Sequence, residues 1–160
     1  MTKVSEIMSK NIVTVPRKKG LKEIIRIMAS SRISSIIITE DERVHGILTE
    51  RDLIKKILLP GKDVAKVTVD DVMTHDPISV NSVTTLSEAS HMMKDKNIRH
   101  IPIVDNGKLV GLVTQTDIVK ETHNIHQKNV KFMTYQNIQT IIIVIFFLFL
   151  VGFLVYKKFF

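Results

Sequence analysis

The chain repeats itself once, without a gap, at an offset of 65 residues. Gly46-Ile47-Leu48-Thr49-Glu50-Arg51-Asp52 returns as Gly111-Leu112-Val113-Thr114-Gln115-Thr116-Asp117. Val4, Met8, Val15, Leu21, Met28, Ile36 and Ile38 likewise match Val69, Met73, Val80, Leu86, Met93, Ile101 and Ile103. Most matched positions are apolar, so what is duplicated is largely a core. The period exceeds that of common solenoids, and two copies predict a pseudo-twofold pair in place of an open array.

Each unit reads short helix, strand, helix, strand, strand, helix. In the first, Val13–Val15 is a brief strand and Leu21-x-x-Ile24-Ile25-x-Ile27-Met28 has helical spacing. Ser35–Thr39 and Val44–Leu48 flank a polar turn and predict a hairpin, and the helix from Glu50 stops at Pro60-Gly61. In the second, Ile78–Val80, Leu86–Lys94, His100–Val104 and Leu109–Val113 repeat the order, with Asp105-Asn106-Gly107 as the hairpin turn. Neither unit alone buries its apolar faces, so a two-layer α+β arrangement with pseudo-twofold symmetry follows.

Residues 132–156 carry no charge, and Ile141–Val155 is apolar apart from Gly152. A helix of that length matches the bilayer core of about 30 Å, which predicts one C-terminal transmembrane helix. The start, Met1-Thr2-Lys3-Val4-Ser5-Glu6, lacks the apolar segment of a signal peptide. The expected organisation is repeat 1 over 1–59, a linker over 60–68 and repeat 2 over 69–122. A stem over 123–137, a membrane span over 138–156 and a tail over 157–160 complete it. The expected localisation is a single-pass membrane anchor with the repeats in the cytoplasm.

There are no cysteines, which excludes disulfides and thiolate metal sites. The net charge of +7 is interspersed; it suits an anionic ligand and lacks the clustered stripe of a nucleic-acid binder. His45, His75 and His91 have no ligand spacing, and His123-x-x-His126 lacks a nearby carboxylate. No nucleophile–base pair or phosphate-binding Walker loop occurs, so an enzyme is not expected.

The repeated Thr-x-x-Asp has two readings. It is a helix cap, with Thr at N-cap and an acid at N3. It is equally a ligand site, in which free helix amides and the Thr hydroxyl meet phosphate while the carboxylate accepts both hydroxyls of a ribose. The preceding glycine permits close approach of a backbone or a ligand.

Taken with Val72-Met73-Thr74 and His100-Ile101-Pro102-Ile103-Val104-Asp105, the tandem Gly-φ-φ-Thr-x-x-Asp motif (φ apolar) resembles a CBS-domain pair, or Bateman module, over residues 1 to about 122. The resemblance implies a regulatory sensor binding AMP, ADP or ATP, with S-adenosylmethionine or NAD as further candidates, in clefts between the repeats. It implies Asp52 and Asp117 as ribose acids, and Thr49 and Thr114 at the phosphates with Thr116 assisting. Val13-Thr14 and Ile78-Ser79 would meet the adenine edge, and Arg99 and His100, ahead of Pro102, would reach phosphate. No cofactor is implied beyond the regulatory ligand. A homodimer and a separately encoded effector protein are the implied partners.

The first unit departs from the pattern. Ser34-Ser35 stands where the second has Arg99-His100, and Ile37 stands for Pro102. Arg17, Lys18 and Lys19 offer substitute cations, so unequal sites are expected, the second favouring the more phosphorylated ligand. Two rival readings are a ligand-free dimerisation or interaction module at the membrane and a nucleic-acid-binding regulator.

Overall fold

A computed structural model gives the backbone of residues 1–41 and 43–159, with side chains described except at 128, 129, 131, 132, 134 and 148–159. Two compact units emerge, Met1–Ile118 and Val119–Phe160. The first contains strands β1 (Thr14–Pro16), β2 (Ser35–Glu40), β3 (Arg43–Thr49), β4 (Thr74–His75), β5 (His100–Asp105) and β6 (Lys108–Thr114). Its helices are α1 (Leu21–Ser31), α2 (Glu50–Leu53, continued by a π-turn over Ile54–Leu58) and α3 (Leu86–Asp95). Helix α4 runs from Gln115 to Phe159.

Tandem repeats in an α+β fold are what the structure has. Leu21, Ile24 and Met28 line the buried face of α1, spaced by helical turns. The helix ends at Arg32 in the left-handed region (φ 53°), and Asn97, 65 residues on, does the same after α3 (φ 51°). Thr85 caps α3 reciprocally with Glu88. Bonds from the Thr85 amide and hydroxyl hold the Glu88 carboxyl below its usual range. The β5–β6 turn places Asn106 and Gly107 at φ 50° and 77°, the left-handed pair that a two-residue hairpin loop of this twist demands.

The first sheet is four-stranded in the order β1-β2-β3-β4, with β1 parallel to β2, and β5-β6 form a separate pair. The expected strand Ile78–Val80 is reduced to a single parallel bridge, Val80 to Ile103. The cause is Pro102. In the first repeat the Ile37 amide donates to the Val13 carbonyl at 3.4 Å; the matching residue, Pro102, has no N–H to give to Ile78.

The core is divided in a way the repeat pattern did not announce. Ile36, Ile38 and Leu48 pack with Val15, Ile24 and Met28, but also with Val69, Val72 and Met73 from the start of the second repeat. Ile101, Ile103 and Val113 pack with Val4, and Ile7 and Met8 lie against them, all from the start of the first. Each repeat thus inserts its lead-in segment into the other's core. The backbone is exchanged as well: β4 pairs with β3, and Ser9 bridges to Leu112 on β6. Ile37 and Ile47, buried and paired in register, belong to neither cluster. They lie on the strand face opposite Ile36 and Ile38, and β3 meets β6.

The membrane expectation is corrected. Among the described residues no helix is long and apolar enough to cross a membrane. The described part of the apolar run is Ile141–Phe147, about 10 Å of helix against a hydrocarbon core of about 30 Å. The remainder of the expected span, 148–156, and the tail 157–160 lie outside the residues whose side chains are described. The C-terminal anchor and membrane localisation are not retained.

Candidate functional site

Both Thr-x-x-Asp motifs fold as capping boxes at the starts of α2 and α4. Thr49 Oγ1 donates to Asp52 Oδ2 at 2.5 Å, and the Thr49 amide donates to the same oxygen at 3.0 Å. The Asp52 amide returns to Thr49 Oγ1 at 3.3 Å. At the second motif the corresponding distances are 2.6, 2.9 and 3.3 Å.

The expected supply of free helix amides is smaller than the sequence reading allowed. The Glu50 amide donates to the Ser34 carbonyl at 3.1 Å, and the Gln115 amide to the Arg99 carbonyl at 2.9 Å. The aspartate amides are engaged as well, so a ligand meets fewer first-turn donors than a bare helix start offers.

The two aspartates are not equivalent. Both are half-buried and spend Oδ2 on the cap. Asp52 Oδ1 faces Lys56 Nζ at 3.7 Å. Lys56 in turn donates to the Val72 and Met73 carbonyls at 2.5 and 3.2 Å, clasping the second repeat's lead-in. Among the described residues Asp117 has no such lysine.

Where the repeats meet, Ser34 Oγ lies 3.2 Å from His100 Nε2, joining the two unlike elements of the duplicated pattern. Burial pushes the His100 imidazole below its ordinary pKa of 6.5, and neighbouring Arg99 pushes it the same way. Glu50 and Asp117 oppose them. Arg99 and Thr116 are exposed, Thr49 and Thr114 half-buried, and Pro102 fully buried.

Val13 is half-buried and Thr14 exposed on β1, while Ile78 and Ser79 are exposed. Their carbonyls differ as the strands do. Val13 O is taken by Ile37, whereas Ile78 O is released by Pro102 and has no hydrogen bond among the described residues. Ser79 lines a cleft of about 310 Å³ together with Asp76, Pro77 and Val104 of repeat 2 and Arg43 and Val44 of repeat 1. Arg43 was not singled out in the sequence. Its signal is there, since its counterpart 65 residues on is Lys108, also basic. Of the substitute cations, Arg17 is engaged by Glu40 at 3.0 Å and Asp70 at 2.9 Å, and Lys19 by Glu23 at 2.6 Å.

The sequence matches the CBS domain twice, over residues 4–59 and 69–124. The chain belongs to the CBS-domain family. It is 38% identical over 119 residues to the uncharacterized protein MK0525 of Methanopyrus kandleri, covering 73% of this chain and 61% of that one. It is 30% identical over 118 residues to the CBS domain-containing protein YhcV of Bacillus subtilis, covering 74% and 84%. Among solved structures, the CBS domain pair of protein MJ0100 in complex with 5′-methylthioadenosine and S-adenosyl-L-methionine superposes with a TM-score of 0.69. It is 27% identical, with 76% of this chain and 99% of that one covered.

Proposed function

We propose that this CBS pair is a regulatory module, without catalysis of its own, that binds an adenosine-containing ligand at the second repeat's Thr114-x-x-Asp117 motif and the Ile78-Ser79 segment, of which Ser79 lines the cleft. The reading divides the module into repeats over 1–59 and 69–122 joined by 60–68. The observation that carries it is the Ile78 carbonyl, which Pro102 leaves out of the strand ladder beside cleft-lining Ser79. A carbonyl acceptor outside the strand ladder and next to a hydroxyl suits the amino edge of adenine.

Asp117, with one carboxylate oxygen outside the cap, accepts the ribose hydroxyls in this reading. Thr114, Thr116, Arg99 and His100 meet phosphate, and a charged guanidinium is the stronger of the two basic groups. Thr49, Asp52, Val13 and Thr14 form the weaker first site. There Lys56 already faces the acid, Ile37 already occupies the Val13 carbonyl, and Arg17 is committed elsewhere. The adenosine ligands of MJ0100 support this ligand class; AMP, ADP and ATP fit the added cations.

Signalling follows by population shift. A ligand that touches both repeats favours one arrangement by its difference in affinity between arrangements. A homodimer and a separate effector protein complete the proposal.

One observation favours the rival dimerisation reading: both capping boxes are complete by themselves. Thermal unfolding of the full chain with AMP, ADP, ATP, S-adenosylmethionine and NAD separates the two. Ligand at 100 times its Kd adds about 2.7 kcal/mol. An upward shift that vanishes in Asp117→Ala supports the sensor, and no shift with any of the five removes it.

A further inference from the structure

Three residues that the sequence holds apart come together at the edge of the first sheet. His45 lies on β3, Asp70 precedes β4, and His75 ends β4; each offers one ligand atom, and the three atoms lie within 4.8 Å of one another. The two imidazoles stand edge to face, centroids 5.7 Å apart and planes at 86°.

Each ring turns one nitrogen toward an oxygen of the protein. His75 Nε2 lies 3.0 Å from the Asp70 carbonyl oxygen. A carbonyl only accepts, so Nε2 carries the proton and Nδ1 keeps its lone pair. His45 Nδ1 faces Glu40 Oε2 at 3.6 Å, and Nε2 is the nitrogen turned away from that carboxylate. That Nε2 is shielded from solvent and has no hydrogen-bond partner among the described residues. Metal-binding histidines characteristically give their second nitrogen to a carbonyl or a carboxylate, which fixes the ring and raises its basicity. His75 has the carbonyl at hydrogen-bond distance, and His45 has a carboxylate oxygen 3.6 Å away.

We propose that His45, Asp70 and His75 form a three-ligand site for a divalent transition-metal ion of the zinc type. Two imidazoles and one carboxylate select that class over calcium or magnesium, and three protein ligands leave a fourth position for water. Bonds of about 2.0–2.1 Å would draw the ligand atoms to roughly 3.3 Å apart, a contraction that side-chain rotation supplies. Arg17 binds the Asp70 carboxylate at 3.1 and 2.9 Å. Those bonds leave further lone pairs on the two oxygens, while the guanidinium charge moderates affinity for a cation.

The ion would clip β4 onto β3, fastening the second repeat's lead-in to the first repeat. Its ligands His45 and His75 adjoin Val44 and Asp76, which line the cleft, so the clip would set that wall of the cleft.

The test is titration of the chelator-treated full chain with Co²⁺ followed by Zn²⁺. The expected result is a tetrahedral Co²⁺ absorption saturating at one ion per chain and displaced by Zn²⁺. His75→Gln, at an exposed position, should weaken binding about tenfold or more, as should His45→Gln, with the folding of each variant checked by thermal unfolding. The double variant His123→Gln with His126→Gln should bind as the unaltered chain does. No saturable absorption in the unaltered chain, its persistence in His75→Gln, or its loss in the His123/His126 variant would overturn the assignment.

Discussion

Met8 of the first repeat lies on Gly111 of the second, where a β-carbon would collide with its Sδ and Cγ; Met73 lies on Gly46 in the same way. The glycine of the duplicated motif therefore admits a methionine from the other repeat. Its conformation does not require glycine, since neither Gly46 nor Gly111 has a positive φ. What it supplies is room for the exchanged lead-in segments.

Gly111→Ala and Gly46→Ala should each lower stability by about 1–3 kcal/mol, the usual cost of overpacking. The contact at Gly111 extends to Met8 Cβ, and that at Gly46 to the Thr74 carbonyl, so side-chain rotation alone does not relieve it. Pairing Gly111→Ala with Met8→Ala should cost less than the sum of the two single changes. Denaturant titration of the unaltered chain and the three variants measures the coupling; strict additivity would refute the contact.

Asp52→Ala and Asp117→Ala each remove a capping box and should cost about 0.5–2 kcal/mol without ligand. They should part company once an adenosine ligand is added. The ligand-induced shift disappears in Asp117→Ala and persists, reduced, in Asp52→Ala. Equal ligand shifts in the two would contradict unequal sites.

Pro102→Ala restores an amide opposite the Ile78 carbonyl. The second repeat should then gain the bond that Ile37 makes in the first. Adenosine binding should weaken by the worth of one hydrogen bond, about 0.5–1.5 kcal/mol or two- to tenfold in Kd. Calorimetric titration reads the change, and unaltered affinity would show that the carbonyl takes no part.

His100 gives a stability profile with a definite sign. Its folded pKa lies below the ordinary 6.5 because the imidazole is buried beside Arg99, so the unfolded chain binds the proton more readily. Its contribution is fully present above pH 6.5 and is lost as pH falls from there through the folded value. His100→Gln keeps a partner for Ser34 and should flatten that part of the curve. A profile unchanged in the variant would assign the slope to another group.

Much of this molecule was legible in the chain because its signals are local. The helical spacing of Leu21, Ile24 and Met28, the Asp105-Asn106-Gly107 turn and the Thr-x-x-Asp caps each act over a few residues, and the 65-residue offset shows the same local signals written twice. They led to the α+β tandem repeat and to helix starts at Glu50 and Gln115. One local signal was read incompletely: Pro102, at the place of Ile37, already removes an amide from the strand ladder.

Tertiary structure decided the rest, because it turns on which distant segments meet. The repeat pattern is the same whether Val4 and Val69 pack at home or in the other repeat; only the folded core shows the exchange and the reason for Gly46 and Gly111. Neither periodicity nor spacing signals that Lys56 reaches the Val72 and Met73 carbonyls, that Arg17 is spent on Glu40 and Asp70, or that His100 reaches Ser34. The Asp52–Lys56 pair, four residues apart on one helix, is a local signal. His45 and His75, thirty residues apart with no ligand spacing, become neighbours because β4 of one repeat closes the sheet of the other. The sequence by itself determined the duplication and most of the elements of the two repeats, since propensity and capping are local. Their exchange, and the chemistry at their junctions, came from long-range packing.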